Sequence, residues 1–325
     1  MENPLAKLVP QFFGDYPKQF LELYNHVYVP PESNEYEIKD NLWKAFEFGS
    51  RYHEGQKRKS GEPYFNHCVE VANTLAGWNM DYTTIMAGLL HDVVEDTNIT
   101  LGDIEREFNK DLANLVDGLT KISGIEFGTR KEKQAGNFMK MLLSVAKDIR
   151  VIIIKFADRM HNMKTITHMP RMKQRRIAIE TRDVYSPLAH RLGMASVKSK
   201  LDDLAFQVLN KDEYDSIASK LKTTNKQRKK LINSYIDPIS NGLEKYKMDC
   251  NIFGRSKSFF SIYGKMINRN KAFEDIYDLY AIRIIVEKIE DCYSALGVVH
   301  NIFTPVQERF KDFIATPKSN GYQSI

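Results

Sequence analysis

Long apolar runs are missing from this chain of 325 residues. No stretch approaches the roughly 18–20 apolar residues that a helix needs to cross a bilayer, so a membrane-spanning protein is not expected. Cysteine is scarce: Cys68, Cys250 and Cys292 lie far apart and show no zinc-binding spacing. An odd, sparse set of this kind excludes a disulfide scaffold and fits a reducing compartment. The opening MENPLAKLVPQFF lacks the apolar core of a signal peptide, and the chain reads as cytoplasmic. There is also no Gly-rich phosphate cradle of the P-loop type, so any nucleotide phosphates must be held by side chains.

What remains is ordinary globular composition, 42% apolar and 27% charged, with a formal net charge of +5. That mild basicity fits an anionic ligand. The length suggests two domains at roughly 100–200 residues each. From about residue 35 to 215 apolar residues recur at three and four, as in IKDNLWKAFEFGSRYH and LANLVDGLTKI, which predicts helices. In TNITLGDIEREF, Thr100 is placed to cap a helix start. KTTNKQRKK, residues 222–230, is basic and free of apolar residues. It reads as a solvated helix face or connector, with an RNA contact as the other reading. After residue 248 the character changes. DCNIFGR and YDLYAIRIIVEK are β-branched and aromatic, as in strands, and FFSIYGKMINR between them reads as a helix.

The stretch GLLHDVVEDTN sets an apolar run against His91, Asp92, Glu95 and Asp96. On one continuous helix His91 would stack with Glu95 and Asp92 with Asp96, giving a polar strip two turns long. Such a strip either faces water or needs a cation, and imidazole with carboxylate suits manganese, iron or zinc. IIIKFADRMHNM repeats the pattern with Asp158 and, one turn on, Asn162; His161 nearby suits a surface or supporting role better than ligation. SGEPYFNHCVEVA puts His67 at the entry to another apolar helix, as a core histidine or a ligand. In GRSKSFFSIYGKM, Arg255 and Lys257 have strand spacing, and Ser261 and Lys265 lie one helical turn apart. Asp278 at the start of a strand is either a Mg²⁺ ligand or a plain strand-edge residue.

RKSGEPYFNH, LLHDVVEDTNIT, VDGLTKIS, FADRMHNMKT and YSPLAHRLGM, in this order, resemble the long RelA/SpoT-type bifunctional (p)ppGpp synthetase/hydrolases. GRSKSFFSIYGKM, IYDLYAIRII and RFKDFIATPKSNGYQSI extend the likeness from about residue 40 to the end. The resemblance implies a multidomain protein: an all-α HD-type metal phosphohydrolase domain over 1–195, a helical connector over 196–240, and a partial mixed α/β nucleotidyltransferase-like synthetase domain over 241–325. It implies Mn²⁺ held by His67, His91, Asp92 and Asp158, with Glu95 and Asp96 positioning or deprotonating water. Arg58, Lys59, Tyr64, Asn162 and Thr165 would contact the nucleotide. The implied reaction removes the 3′-diphosphate from guanosine tetra- or pentaphosphate, giving GDP or GTP and pyrophosphate, within the stringent response.

For the second half the resemblance implies diphosphate transfer from ATP to GDP or GTP. Arg255, Lys257, Ser261 and Lys265 would hold ATP, and Asp278 would bind Mg²⁺. Lys311, Lys318, Asn320 and Tyr322 would hold the acceptor, with Tyr322 stacking on guanine. RFKD, residues 309–312, matches the basic form of a motif found in bifunctional members. The sequence stops at Ile325 inside NGYQSI, before the family's later acidic segment. Hydrolysis is therefore expected here, and synthesis in a longer parent, whether this is a fragment or a naturally short form. No membrane partner is expected, and no ribosome contact without the C-terminal domains of long members. Two alternatives stay open: an HD phosphohydrolase on another nucleotide, and a non-catalytic guanine-nucleotide sensor signalling through YSPLAHRLGMASVKSKLDDLAFQVLN.

Overall fold

The computed structural model describes residues 16–120, 136, 139, 143, 145–221, 225–270, 272–276, 279–317, 319, 321 and 323–325, with backbone only at 225, 226, 228 and 229. Residues up to Leu204 form one compact unit and those from Ala205 a second.

The first unit is helical among the described residues. Its elements are α1 Lys18–Tyr24, α2 Glu35–Tyr52, α3 Phe65–Ala76, α4 Tyr82–Leu90, α5 Val93–Asp96, α6 Leu101–Glu107, α7 Lys110–Leu119, α8 Arg150–Lys164, α9 Arg171–Glu180 and α10 Ser186–Arg191. Local chemistry sets the starts. Asn34, Asp81 and Asn109 each turn a side-chain oxygen onto a backbone N–H of the first turn of α2, α4 and α7. Thr100 caps α6 as its sequence predicts, and Asp103 completes the reciprocal capping box.

The centre of this unit is the α3–α4 pair, whose Cys68, Val71, Leu75, Ile85, Leu89 and Leu90 are fully buried. The two helices approach closely because α4 carries Gly88. A Cβ there would meet Leu75 Cδ1 at 2.6 Å. Gly49 of α2 has the same role, since a Cβ would lie 2.6 Å from Phe65 Cε2. α8 adds Val151, Ile154 and Ala157 to the same core.

One expectation needs correction. His91, Asp92, Glu95 and Asp96 do not share one helix: α4 stops at Leu90 and the single turn of α5 starts at Val93. The His91 ring turns back to the Gly88 carbonyl, 2.9 Å away. His91 is fully buried while Asp96 is exposed, so there is no common strip. A π-helical turn, Thr181–Tyr185, joins α9 and α10. Pro187 follows it, with no N–H for the helical ladder and a ring that crowds the carbonyl four residues back. A widened turn relieves both problems.

The second unit contains α11 Ala195–Leu209 from Ala205 onward, α12 Lys211–Leu221, α13 Asn225–Lys245, β1 Cys250–Ser256, α14 Phe259–Arg269, β2 Tyr280–Val286 and α15 Ile289–Ile302. Strands and helix fall where the β-branched and amphipathic stretches predict them. β1 and β2 pair antiparallel, with Cys250 opposite Val286 and Ser256 opposite Tyr280. One face of this ribbon, with Ile252, Ile282 and Ile284, packs on Ile239 and Leu243 of α13 and on Ala295 and Val298 of α15. Gly254 lets α13 lie close, because a Cβ there would fall 2.0 Å from Ile232 Cγ2. Phe206, Ile217 and Leu221 form a further core with Ile262 of α14. Residues 205–243 thus supply core side chains to this unit. All three cysteines are free, and no helix of the described residues is long and apolar enough to cross a membrane.

The start of α8 depends on a charge cluster. Arg150 bonds Asp148 at 2.6 Å and Asp111 at 3.0 Å, and Asp148 accepts the Arg150 backbone N–H at 2.8 Å. Hydrogen bonds from Arg150 hold the Asp148 carboxyl below the usual aspartate range. Its contribution is full above the unfolded value of roughly 3.9 and fades as pH falls through the depressed folded value. Arg150→Met should cost about 1 kcal/mol near neutrality. Urea melts should show that difference shrinking in acid.

Candidate metal centre

Three segments converge inside the first unit. α3 presents His67 in its first turn, the α4–α5 break presents His91 and Asp92, and α8 presents Asp158. His67 Nε2 lies 3.2 Å from Asp158 Oδ1 and 3.8 Å from Asp92 Oδ2. His91 Nε2 lies 3.1 Å from Asp92 Oδ2 and 3.9 Å from Asp158 Oδ1. One ligand atom each from His67, His91 and Asp158 falls within 4.8 Å of the others. The histidines are 1% and 0% exposed and the carboxylates 17% and 18%, so little water reaches the group.

Burial opposes charge throughout this cluster, yet the neighbours outweigh it for three members. Asp92 lies well below its usual range because His91, then Lys155 and His67, counter the desolvation. Asp158 is held low by the neighbouring His67 imidazole, then by Lys155 and His91. His91 is raised well above its usual value, since Asp92 outweighs burial. His67 goes the other way, lowered chiefly by burial. Two ionised carboxylates thus persist in a largely buried site, where charge is costly unless matched by positive charge.

The residues fit a divalent cation. His91 Nε2 is buried without a hydrogen-bond partner despite its closeness to Asp92. Its other nitrogen faces the Gly88 carbonyl, which can only accept, so Nδ1 carries a proton and Nε2 is the atom that a cation would take. Two imidazole nitrogens and the Asp158 carboxylate form a mixed N/O donor set, and Asp92 lies beside it, against the two histidines. The Tyr64 hydroxyl donates to Asp92 Oδ2 at 2.7 Å, and Asn162 donates to Asp158 Oδ1 at 2.5 Å. Both carboxylates are therefore oriented from outside, as metal-binding carboxylates usually are.

The centre lies at the wall of a cavity of about 780 Å³. His67, Asp92 and Asp158 line it together with Arg58, Lys59, Tyr64, Glu95, Asp96, Asn162 and Thr165. Every residue expected to work with this centre thus borders one space, except His91, which is buried behind it. Glu95 is half-buried; Asp96 is exposed, and its carbonyl accepts from Gln56 Nε2 at 2.8 Å. Arg58 is fixed by Asn162 Oδ1 at 2.5 Å, His161 Nδ1 at 3.0 Å and Thr165 Oγ1 at 3.4 Å.

Sequence reasoning missed Lys155, Arg159 and Lys173 on the same wall. Arg159 is 14% exposed, pairs with Glu180 at 3.0 Å and sits 4.1 Å over the Tyr185 ring. For Lys155 a signal existed: it lies three residues before Asp158 on α8, hence on nearly the same face. Arg159 had none, because its partners come from a distant segment.

The residues expected to act in the second half are only partly described. Arg255 is exposed in β1, Lys257 lies one residue past its end, and Ser261 and Lys265 sit on α14. Ser258 caps this helix and its hydroxyl meets that of Ser261 at 2.7 Å. Lys311 is exposed. Asp278, Lys318, Asn320 and Tyr322 lie outside the described residues.

Comparison with known proteins finds an HD domain over residues 45–195 and the region found in RelA/SpoT proteins over residues 254–325. The chain is 45% identical over 284 residues to the bifunctional (p)ppGpp synthase/hydrolase SpoT of Escherichia coli K12, covering 87% of this chain and 40% of that protein. It is 44% identical over 300 residues to a guanosine-3′,5′-bis(diphosphate) 3′-pyrophosphohydrolase of Spiroplasma citri, covering 92% and 40%. It is 45% identical over 282 residues to a GTP pyrophosphokinase of Streptomyces coelicolor, covering 87% and 33%. The chain spans about two fifths or less of the length of these relatives.

If the cluster binds a cation, the folded state gains stability by mass action. Mn²⁺ at about a hundred times its dissociation constant should add about 2.7 kcal/mol. Asp158→Asn should lose most of that increment, read as the difference between thermal melts with Mn²⁺ and with EDTA.

Proposed function

The chain belongs to the SpoT/Rel family, joining an HD domain to a RelA/SpoT region, and we propose that it hydrolyses the 3′-diphosphate of guanosine tetra- or pentaphosphate to GDP or GTP and pyrophosphate. One observation carries this reading: a buried cluster of His67, His91 and Asp158, with Asp92 beside it, opens onto a cavity of about 780 Å³ whose wall holds Lys57, Arg58, Lys59, Lys155, Arg159 and Lys173. That volume lies within the range of nucleotide-sized sites, and the cationic wall suits a polyphosphate. The names of the relatives support the substrate.

His67, His91, Asp92 and Asp158 would hold the cation, for which we propose Mn²⁺. A bound divalent cation supplies Lewis acidity, acidifying a water and drawing charge from a phosphoryl oxygen. Glu95 and Asp96, one turn past Asp92, would orient the attacking water and accept its proton. Tyr64 and Asn162 keep the ligand carboxylates in register. Arg58, already held by three partners on α8 and its C-cap, offers a rigid guanidinium to the base or a phosphate, and Lys59 adds a mobile charge at the rim. In the second unit we propose that Arg255, Lys257, Ser261, Lys265 and Asp278 serve ATP and Mg²⁺, with Lys311, Lys318, Asn320 and Tyr322 for a GDP or GTP acceptor. The same reading gives a cytoplasmic protein of the stringent response.

The test is to incubate the chain with Mn²⁺ and guanosine tetraphosphate and follow GDP and pyrophosphate. Product release that EDTA stops and His91→Ala abolishes is the expected result; binding without turnover would favour a sensor. Glu95→Gln should lower kcat by roughly a hundredfold or more while Mn²⁺ affinity barely moves. Equal losses in both would make Glu95 a structural residue. Arg58→Ala should act mainly through KM, measured by steady-state kinetics.

A further inference from the structure

α8 places one more histidine against the centre. His161 Nδ1 lies 2.7 Å from His67 Nδ1, with the rings 4.8 Å apart and inclined at 38°. The same nitrogen lies 3.0 Å from Arg58 Nη1. Two ring nitrogens at that distance share a single proton. A guanidinium can only donate. A proton on His161 Nδ1 would face the Arg58 N–H head-on, so His161 Nδ1 must be the acceptor of both contacts. The shared proton then sits on His67 Nδ1. With Nδ1 engaged in this way, Nε2 is the atom that His67 turns to Asp158 Oδ1, 3.2 Å away, and Asp92 Oδ2, 3.8 Å away, and the one that a cation between them would take.

We infer that His161 is a positioning residue: its Nδ1 lone pair receives the His67 Nδ1–H and an Arg58 N–H together, fixing His67 in the tautomer that presents Nε2 to the cation. His91 reaches the same tautomer by another route, through the main-chain carbonyl of Gly88. The two histidines therefore differ in how firmly they are set. The His91 anchor cannot be removed by changing a side chain, whereas the His67 anchor can. A second cavity of about 360 Å³ adjoins this contact, lined by His67, His161, Arg58 and Asn73 among others. Without His161 as acceptor, water from that side can bond either His67 tautomer, and the preference for a free Nε2 is lost.

The inference rests on the metal-centre reading, and the experiment separates the two. Mn²⁺ affinity is measured from the EPR signal of free ion for the unmodified chain, His161→Asn and His161→Leu. Asparagine places an amide oxygen near the position of Nδ1; leucine fills similar space and accepts nothing. The leucine variant should bind Mn²⁺ about tenfold to a hundredfold more weakly. The asparagine variant should keep most of the affinity, and both should melt alike without metal. In the metal-free unmodified chain, ¹⁵N-histidine NMR should show His67 protonated at Nδ1. Leucine binding as tightly as histidine, or a His67 with no proton on Nδ1, would overturn the inference. If the leucine variant does not fold, the tautomer measurement decides alone. No Mn²⁺ binding by the unmodified chain would instead remove the metal-centre reading, leaving the tautomer to be read as before.

Discussion

Charge buried beyond the reach of most water is the constraint on which the first unit depends. Asp92 and Asp158 stay ionised beside two imidazoles that are almost entirely enclosed. Carboxylates in such a place are tolerated only when each oxygen is matched by a cation or a donor. The surroundings meet that demand from several directions. Tyr64 and Asn162 donate to the carboxylates, Lys155 contributes positive charge, and the His91 ring is tied to the Gly88 carbonyl. The helical architecture is bent to the same end. α4 stops at Leu90, so that His91 and Asp92 stand side by side at a helix terminus, the ring inside the core and the carboxylate at the cavity wall.

Much of this was legible in the sequence, for identifiable reasons. His67, His91, Asp92 and Asp158 interrupt apolar runs, and a polar group inside a core-forming pattern stands out against it. Thr100 with Asp103 announced a helix start because capping is a local interaction. The strands of the second unit were visible in β-branched density, and the Ser258–Arg269 region in its amphipathic spacing. What could not be read depends on contacts remote in sequence. The break at His91–Asp92 depends on where a ring turns, and periodicity does not carry that. The Arg159–Glu180 pair joins positions 21 apart, and the His67–His161 contact joins positions 94 apart. No spacing rule reaches so far.

Glycine shows the same division between local and remote causes. Gly88, Gly49 and Gly254 sit in regular elements with no turn to explain them. From sequence they look like weak points in good helices and a strand. Each is required by a neighbour: Leu75, Phe65 and Ile232 occupy the space where a Cβ would stand. At Gly88 the consequence reaches the chemistry, since the same residue brings α4 against α3 and supplies the carbonyl that orients His91.

The π turn before Pro187 ties chain length to side-chain direction. Each residue of an α-helix turns the chain by about 100°, and a π turn takes up one residue more than the α ladder would. Glu180 before it faces Arg159, while Ser186 after it reaches the buried Asp202, itself paired with Lys198. Deleting one residue from 181–185 would keep the helix continuous but swing everything beyond it by that angle. Ser186 would leave Asp202, and an acid that is 6% exposed would lose a partner. Length variants among relatives should therefore collect in loops such as the one between α1 and α2, and the π turn should keep its count of residues.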